Sequence, residues 1–186
     1  MNEPHIEGII EAVKLWKLKD YAMGNRDSLP QLGFLPEGAE TYEAVPQWVM
    51  QEALNAVGGD VPTALHSILY SIPMNFPDVT KLRAITFIAD GYTATRDKDD
   101  EPIRGSMKED FMSNPDTDVT ECLTVLMADD DLVGGVDIAI AQVPYAMVEG
   151  GFLEFKDAVI HVDDDKTKVQ GAIADVIREV WRAQSC

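Results

Sequence analysis

The sequence predicts an α+β protein in which helices pack mainly on one face of an antiparallel sheet of about four strands. Apolar residues follow the helical period in the first part of the chain, change to the strand period at Leu82, and return to the helical period at Asp165. Strands that follow one another without intervening helices favour hairpins over βαβ units. A chain of 186 residues forms one domain by default. This domain, 1–186, has a helical part (1–78), an acidic sheet part (79–165) and a C-terminal helix (166–186).

Three helices are predicted in the helical part. Residues 5–20 carry apolar side chains at the spacing i, i+3, i+4, i+7 that places them on one helical face. Pro46 suits a first helical position and opens a helix over 46–58. Asp60 is expected to cap a third helix over 61–72, so the short Gly-Gly-Asp link joins an αα-hairpin.

A long loop is predicted between the first two helices. Residues 26–45 contain prolines and glycines but no apolar periodicity. Three apolar side chains are expected to hold this loop against the core: Leu32, Phe34 and Leu35.

Four strands are predicted in the acidic sheet part, from runs rich in β-branched and aromatic residues and from alternating apolar residues. They cover 82–94, 119–128, 136–143 and 152–162. The acidic, glycine-containing stretch after the second strand predicts a hairpin turn. Pro144 indicates the end of the third strand or an edge position, and we expect a break in the fourth strand near Asp157.

The last element is a helix predicted over 165–183. Its apolar face consists of Val169, Ile173, Val176, Ile177, Val180 and Trp181. Three consecutive aspartates, Asp163 to Asp165, are expected to cap its start, while Arg178 and Arg182 near its end complement the helix dipole from the exposed side.

The negative charge of the chain is concentrated in one segment. The formal net charge is −18, and residues 97–165, with nineteen acidic and four basic residues, account for −15 of it. Such a field repels duplex DNA and anionic membranes and attracts cations and basic proteins. We therefore expect a protein partner with a basic surface, no direct binding of nucleic acid and no membrane binding.

The acidic clusters are candidate partner-binding residues rather than metal ligands. Consecutive carboxylates in a turn diverge, and the spacing of a calcium-binding loop is missing. The sequence therefore predicts no metal and no cofactor. The residues expected to face a partner are Asp97, Asp99, Asp100, Glu101, Asp129, Asp130 and Asp131.

The sequence predicts no catalytic residue. The histidines lack metal-ligand spacing, and Cys122, which lies in an alternating strand, is interpreted as a small buried hydrophobe. Asp90 is the carboxylate of most interest. If it points inward it needs a cationic partner, for which Arg83, Arg96 and Arg104 are the candidates, and the alternative is a position facing water at a strand end.

Three functional hypotheses follow. The first is a non-enzymatic acidic interaction protein, in its sharpest form a bacterial or phage inhibitor that mimics nucleic acid. The second is a structural protein that assembles with itself into a homo-oligomer. The third is an enzyme or small-molecule-binding protein with a pocket between sheet and helices, lined by carboxylates and by Tyr70, Tyr92 and Tyr145.

The sequence also predicts a cytoplasmic protein. The longest apolar runs are far shorter than the ~20 residues of a membrane span, and the acidic N-terminus does not resemble a signal peptide. Two cysteines, one inside an apolar run and one at the last residue, are best explained as thiols in a reducing compartment.

Overall fold

The computed structural model describes residues 3–24, 29–75, 79, 81–96, 117–129, 138–163 and 168–184. The helices in these ranges are α1 (Glu3–Ala22), α2 (Gln47–Ala56), α3 (Val61–Asn75) and α4 (Ala172–Gln184). The strands are β1 (Gln31–Pro36), β2 (Glu43–Ala44), β3 (Leu82–Arg96), β4 (Thr117–Asp129), β5 (Ala139–Val148), β6 (Phe152–Phe155) and β7 (Val159–Val162).

These strands form one antiparallel sheet in the order β2-β1-β3-β4-β5-β6, and β7 pairs with β5 beside β6. The predicted α+β class is therefore confirmed, but the sheet has seven described strands instead of about four. Its centre is the long pairing of β3 with β4, which runs from Ala84 opposite Asp129 to Arg96 opposite Thr117.

The two unpredicted strands lie in the segment interpreted as a loop, 26–45. β1 pairs along its length with β3, and β2 pairs with β1. Leu32 and Phe34 are fully buried, as expected, but they are buried as strand residues that alternate with Gly33. The prediction was wrong because the prolines and Gly33 hid a short alternation, and because the strand that pairs with it lies about fifty residues further along the chain.

The predicted fourth strand, 152–162, is interrupted between β6 and β7. β6 pairs with residues 145–148 of β5, and β7 pairs with residues 139–142. The two short strands therefore lie end to end along the same side of β5. The interruption contains Asp157, where a break was expected.

Pro144 neither ends the third strand nor marks an edge, which corrects the prediction. It lies inside β5, opposite Cys122 of β4, and its carbonyl accepts a hydrogen bond from the backbone N–H of Lys156 at 2.8 Å. In an antiparallel strand the N–H and C=O of one residue point the same way. The missing N–H of Pro144 therefore faces the interruption between β6 and β7, where no strand pairing requires it.

Three helices cover one face of the sheet, while α1 covers the other. The larger core joins α2, α3 and α4 to residues of β1, β3 and β4 such as Phe34, Phe87 and Leu126. The smaller core packs Ile6, Ile10 and Val13 of α1 against the opposite side chains of β4 and β5. The prediction of helices mainly on one face holds for three of the four described helices, and the exception, α1, creates a second interface.

The link between α2 and α3 follows the sequence prediction. Gly58 and Gly59 have positive φ angles of 67° and 89°, which glycine adopts without strain. Asp60 accepts a hydrogen bond from the backbone N–H of Thr63 at 3.1 Å, so its carboxylate caps the start of α3.

The start of the last helix differs from the prediction. α4 begins at Ala172, several residues after the aspartates expected to cap it, and Asp164 and Asp165 lie outside the described residues. Asp163 is buried and accepts hydrogen bonds from the Val169 N–H at 2.6 Å and from Arg178 Nη2 at 3.1 Å. It thus holds the lead-in to α4, and Arg178, predicted to be exposed, is largely buried as its ion-pair partner.

Replacing Trp181 by Ala should lower the free energy of unfolding by about 3–5 kcal/mol, because the indole is buried in the larger core. Trp48→Ala is the matched control, since Trp48 is 65% exposed and its loss should change stability by about 0.5 kcal/mol or less. Chemical denaturation of both variants measures the difference. Equal midpoints for the two variants would contradict the packing of α4.

Asp163→Ala should destabilise the fold by about 3 kcal/mol, because it removes the buried carboxylate that pairs with the largely buried guanidinium of Arg178. Asp175 contacts the same Arg178 at 2.9 Å but is 70% exposed, so Asp175→Ala should change stability by less than about 1 kcal/mol. Thermal unfolding of the two variants checks this, and similar losses would show that burial of Asp163 does not matter.

Candidate functional site

A groove lies on the α1 side of the sheet, between α1 and the strands β1, β2 and β3. Its volume is about 260 Å³, and most of its lining is apolar. Helix α1 contributes Ile9, Ala12, Val13 and Trp16, and the strands contribute Gln31, Leu32, Gly33, Tyr42, Glu43, Ala44, Thr86 and Ile88. Tyr42, in this set, belongs to the turn just before β2.

Local sequence explains why space remains here. Gly33 lies directly opposite Thr86 in the β1–β3 pairing and presents no side chain beside it. A Cβ added at Gly33 would lie 3.6–4.0 Å from its nearest atoms, which are the carbonyl oxygen of Glu43, Cδ1 of Tyr42 and the carbonyl oxygen of Thr86. These are ordinary contact distances, so the groove exists because a side chain is missing and not because the backbone excludes one.

Thr86 contributes a buried hydroxyl to the lining of the groove. The residue is 4% exposed, and no described residue forms a hydrogen bond with its Oγ1. Buried hydroxyls in folded proteins are nearly always hydrogen-bonded, because a buried hydroxyl without a hydrogen-bond partner costs about 1–3 kcal/mol of stability. An uncompensated hydroxyl that lines a groove is therefore a feature that a ligand would explain.

An ion pair lies further along the same face of β3. Every second side chain of β3 faces α1, and these are Thr86, Ile88 and Asp90. The last of them accepts a hydrogen bond at its Oδ2 from Nζ of Lys17, at 2.6 Å. The hydroxyl of Tyr145 donates to the other carboxylate oxygen at 3.0 Å, and Lys17 Nζ lies 5.4 Å from the centre of the Tyr145 ring. Lys17 is 1% exposed, which is rare for lysine unless its charge is compensated, as it is here.

The chemistry available to this cluster is limited. Burial, and then the charge of Asp90, raise the pKa of Tyr145 well above its usual range, so the phenol stays protonated at neutral pH. Burial raises the pKa of the neighbouring Cys122 thiol, the hydrogen bond with Thr124 lowers it, and the charge of Asp90 raises it. A protonated phenol and a protonated buried thiol are weak nucleophiles, so the cluster serves to anchor α1.

The expected partners of Asp90 therefore need correction. Its cation is Lys17 of α1, seventy-three residues earlier in the chain, and the carboxylate lies inward instead of facing water. The side chain of Arg96 and all of Arg104 lie outside the described residues. The sequence pattern did not reveal Lys17, because it occupies one of the polar positions between the apolar residues of α1, where lysine is normally exposed.

Most of the sequence-predicted partner-binding residues fall outside the described residues: Asp97, Asp99, Asp100, Glu101, Asp130 and Asp131. Asp129 is described, and it is the last residue of β4, opposite Ala84. It is 2% exposed, so its carboxylate is not on the surface of this structure.

The tyrosines expected to line a common pocket are separated. Tyr145 belongs to the ion-pair cluster, while Tyr70 lies on α3 near Glu179 of α4, with their side-chain oxygens 3.4 Å apart. The side chain of Tyr92 is outside the described part. The groove is instead bordered by Tyr42 and Trp16, for which no sequence motif gave an indication.

Two further findings concern metal ligands and membrane-spanning helices. Among the residues that the structure describes, no three of His, Cys, Asp and Glu lie close enough together to hold a metal ion. No helix in the same part of the chain has both the length and the apolar character needed to span a membrane.

Comparison of the chain with protein-family models, with curated proteins and with solved structures finds no match.

Lys17→Met should lower the free energy of unfolding by about 3 kcal/mol, because the partly buried Asp90 carboxylate would lose its cationic partner. Replacing both residues, Lys17→Met with Asp90→Leu, should recover much of that loss, since the remaining groups are apolar. Lys14→Met is the control: its partner Glu11 is 67% exposed, and the change should be within about 1 kcal/mol. Urea unfolding of these three variants, of Asp90→Leu and of the unchanged protein measures the coupling, and additive losses in the double variant would contradict it.

Proposed function

We propose that this protein binds a small, uncharged and mainly apolar molecule in the groove beneath α1. The observation that carries the proposal is the buried Thr86 hydroxyl, which has no hydrogen-bond partner among the described residues and lines an apolar groove. Ligand sites typically combine an apolar lining with a few polar groups that fix orientation. The ligand should therefore carry one hydrogen-bonding atom.

Size and charge narrow the ligand further. The volume of about 260 Å³ is slightly below the range of about 300–1,000 Å³ common for drug-sized ligands, so a compact molecule of at most three rings fits best. Lys17 offers no free charge for an anion because Asp90 neutralises it. The net charge of −18 further disfavours anions, which supports a neutral ligand.

This proposal is a specific form of the pocket hypothesis. It assigns binding and no reaction, because the neighbouring Lys17, Asp90 and Tyr145 are engaged with one another and the groove lining itself is mostly apolar. The acidic interaction hypothesis rests on other residues, most of which lie outside the described part of the chain, and the groove proposal does not depend on it.

Fluorescence titration with N-phenyl-1-naphthylamine, a neutral apolar probe with one N–H, tests the proposal. Binding should raise the emission of the probe and quench Trp16, which borders the groove. Gly33→Val should reduce the affinity about tenfold or more, since its methyl groups enter the space that the probe needs. Gly91→Val on β3 is the matched control, because a Cβ there would meet only Thr124 Oγ1, at 3.8 Å, and Gly91 does not line the groove.

Thr86→Val should raise stability and weaken binding at the same time. Removing a buried hydroxyl that lacks a partner should increase the free energy of unfolding by about 1 kcal/mol, while the probe loses a hydrogen bond and binds about fivefold more weakly. Thermal unfolding and the same titration provide the two readouts. A less stable variant would show that the hydroxyl is already satisfied, and unchanged probe binding by Gly33→Val would remove the groove as the site.

A further inference from the structure

The sheet ends on one side at β6 and β7, which both pair with β5. Neither strand pairs on its outer side with any other described strand. Such an edge presents backbone N–H and C=O groups that another extended chain can pair with. Soluble proteins usually protect an edge with charged residues, with a bulge or with a covering helix.

This edge is protected only in part. The interruption between β6 and β7 limits each straight stretch to four residues, as a bulge would. Yet large apolar side chains are exposed along it and on the adjoining end of β5: Met147, Val148, Phe152, Val159 and Ile160. Their exposed fractions range from 37% to 71%, so they contribute little to either core.

The apolar residues occupy both faces of the edge. Phe152 lies opposite Val148 of β5, and Val159 lies opposite Gln142 of β5. Both pairs lie on the face of the sheet that α2, α3 and α4 cover. Ile160 lies opposite Ala141, whose side chain belongs to the core under α1. A partner that fits this edge must therefore cover both faces, which an added strand with side chains on alternate faces does.

Charge decides what kind of chain fits. Exposed carboxylates of Glu149, Glu154 and Asp157 surround the apolar residues, and Lys156 and His161 are the basic groups in the same stretch. A second copy of this chain would bring a net charge of −18 against another −18. A partner with basic residues among its apolar ones would instead be attracted.

We propose that the β6–β7 edge binds a basic, extended segment of a partner protein by adding it to the sheet as a further strand. Backbone pairing would then provide affinity, and apolar contacts with Phe152, Val159 and Ile160 would fix the register of the added strand against the edge. The acidic residues around them would select lysine and arginine in the partner. This inference does not depend on the groove, which lies across β1, β2 and β3 on the other side of the sheet's centre.

Fluorescence anisotropy with a short labelled peptide of alternating Lys and Val tests the proposal on the full chain. The peptide should bind, and an otherwise identical peptide of alternating Glu and Val should not. Raising the salt to about 1 M, where the screening length falls to about 3 Å, should weaken binding strongly. Equal binding of the two peptides would overturn the proposal.

Substitutions locate the binding surface. Val159→Lys combined with Ile160→Lys should weaken binding of the Lys-Val peptide about tenfold or more, through both lost apolar contact and added repulsion. The control adds the same charge elsewhere: Leu15→Lys on α1 with Met23→Lys in the turn just after it, where the side chains are 67% and 63% exposed. Circular dichroism establishes that both variants are folded, and equal weakening by the two pairs would overturn the location.

Two more measurements separate this partner from other occupants. Hydrogen exchange at residues 159–162 should slow when the peptide binds, whereas a peptide with methylated backbone nitrogens should bind weakly, because strand addition uses backbone hydrogen bonds. Sedimentation of the free protein should give a monomer. A dimer that the Val159→Lys, Ile160→Lys variant dissociates would show that the edge binds a second copy, and it would overturn the proposal of a basic partner.

Discussion

The pairing of β3 with β4 is the constraint on which the rest of the structure depends. These two strands run together from Ala84 opposite Asp129 to Arg96 opposite Thr117, and every other strand is added outward from them. Both faces of β4 are apolar, with Leu126 and Ala128 on one face and Leu123, Val125 and Met127 on the other. A shift of register by one residue would exchange the two faces, so both cores specify the same pairing.

The opposite face of the sheet depends on one helix, and charge helps to place it. Apolar packing holds the first half of α1, while the Lys17–Asp90 pair and the hydrogen bond from Tyr21 to Met147 Sδ hold the second half. Between these contacts and the β1–β2 edge, the absence of a side chain at Gly33 leaves space. The groove is thus a product of the way α1 is anchored and of one small residue beneath it.

Much of the fold could be predicted from the sequence because it rests on local periodicity. The apolar stripes of α2, α3 and α4 and the alternation in β3 and β4 are repeated often enough to identify the elements. β1 offers only Leu32 and Phe34 as an alternating pair between prolines, and its strand character depends on β3, which is distant in sequence. No local pattern carries that information.

The site was less predictable than the fold for the same reason. Gly33, Thr86 and Trp16 come from three separate elements, and each is unremarkable in its own sequence context. Asp90 was recognised as unusual, since a carboxylate in an apolar strand requires compensation, but the compensating Lys17 is identified only by the packing of α1. For Asp129 the sequence suggested exposure and the structure shows burial. The acidic run that it begins is typical of a turn, but Asp129 itself is the buried last residue of β4.

The unequal cover of the two faces has a consequence for how the protein opens. Three helices share the larger core, so the loss of one exposes surface of the others, whereas α1 is the one helix of the described residues that packs on the smaller core. Detachment of α1 would expose the smaller core and leave the contacts of the larger core in place, so it should require less free energy than global unfolding. Because α1 also forms one wall of the groove, the same partial opening would widen the path to it, and the exchange of a molecule bound there should then become faster when the Lys17–Asp90 pair is weakened.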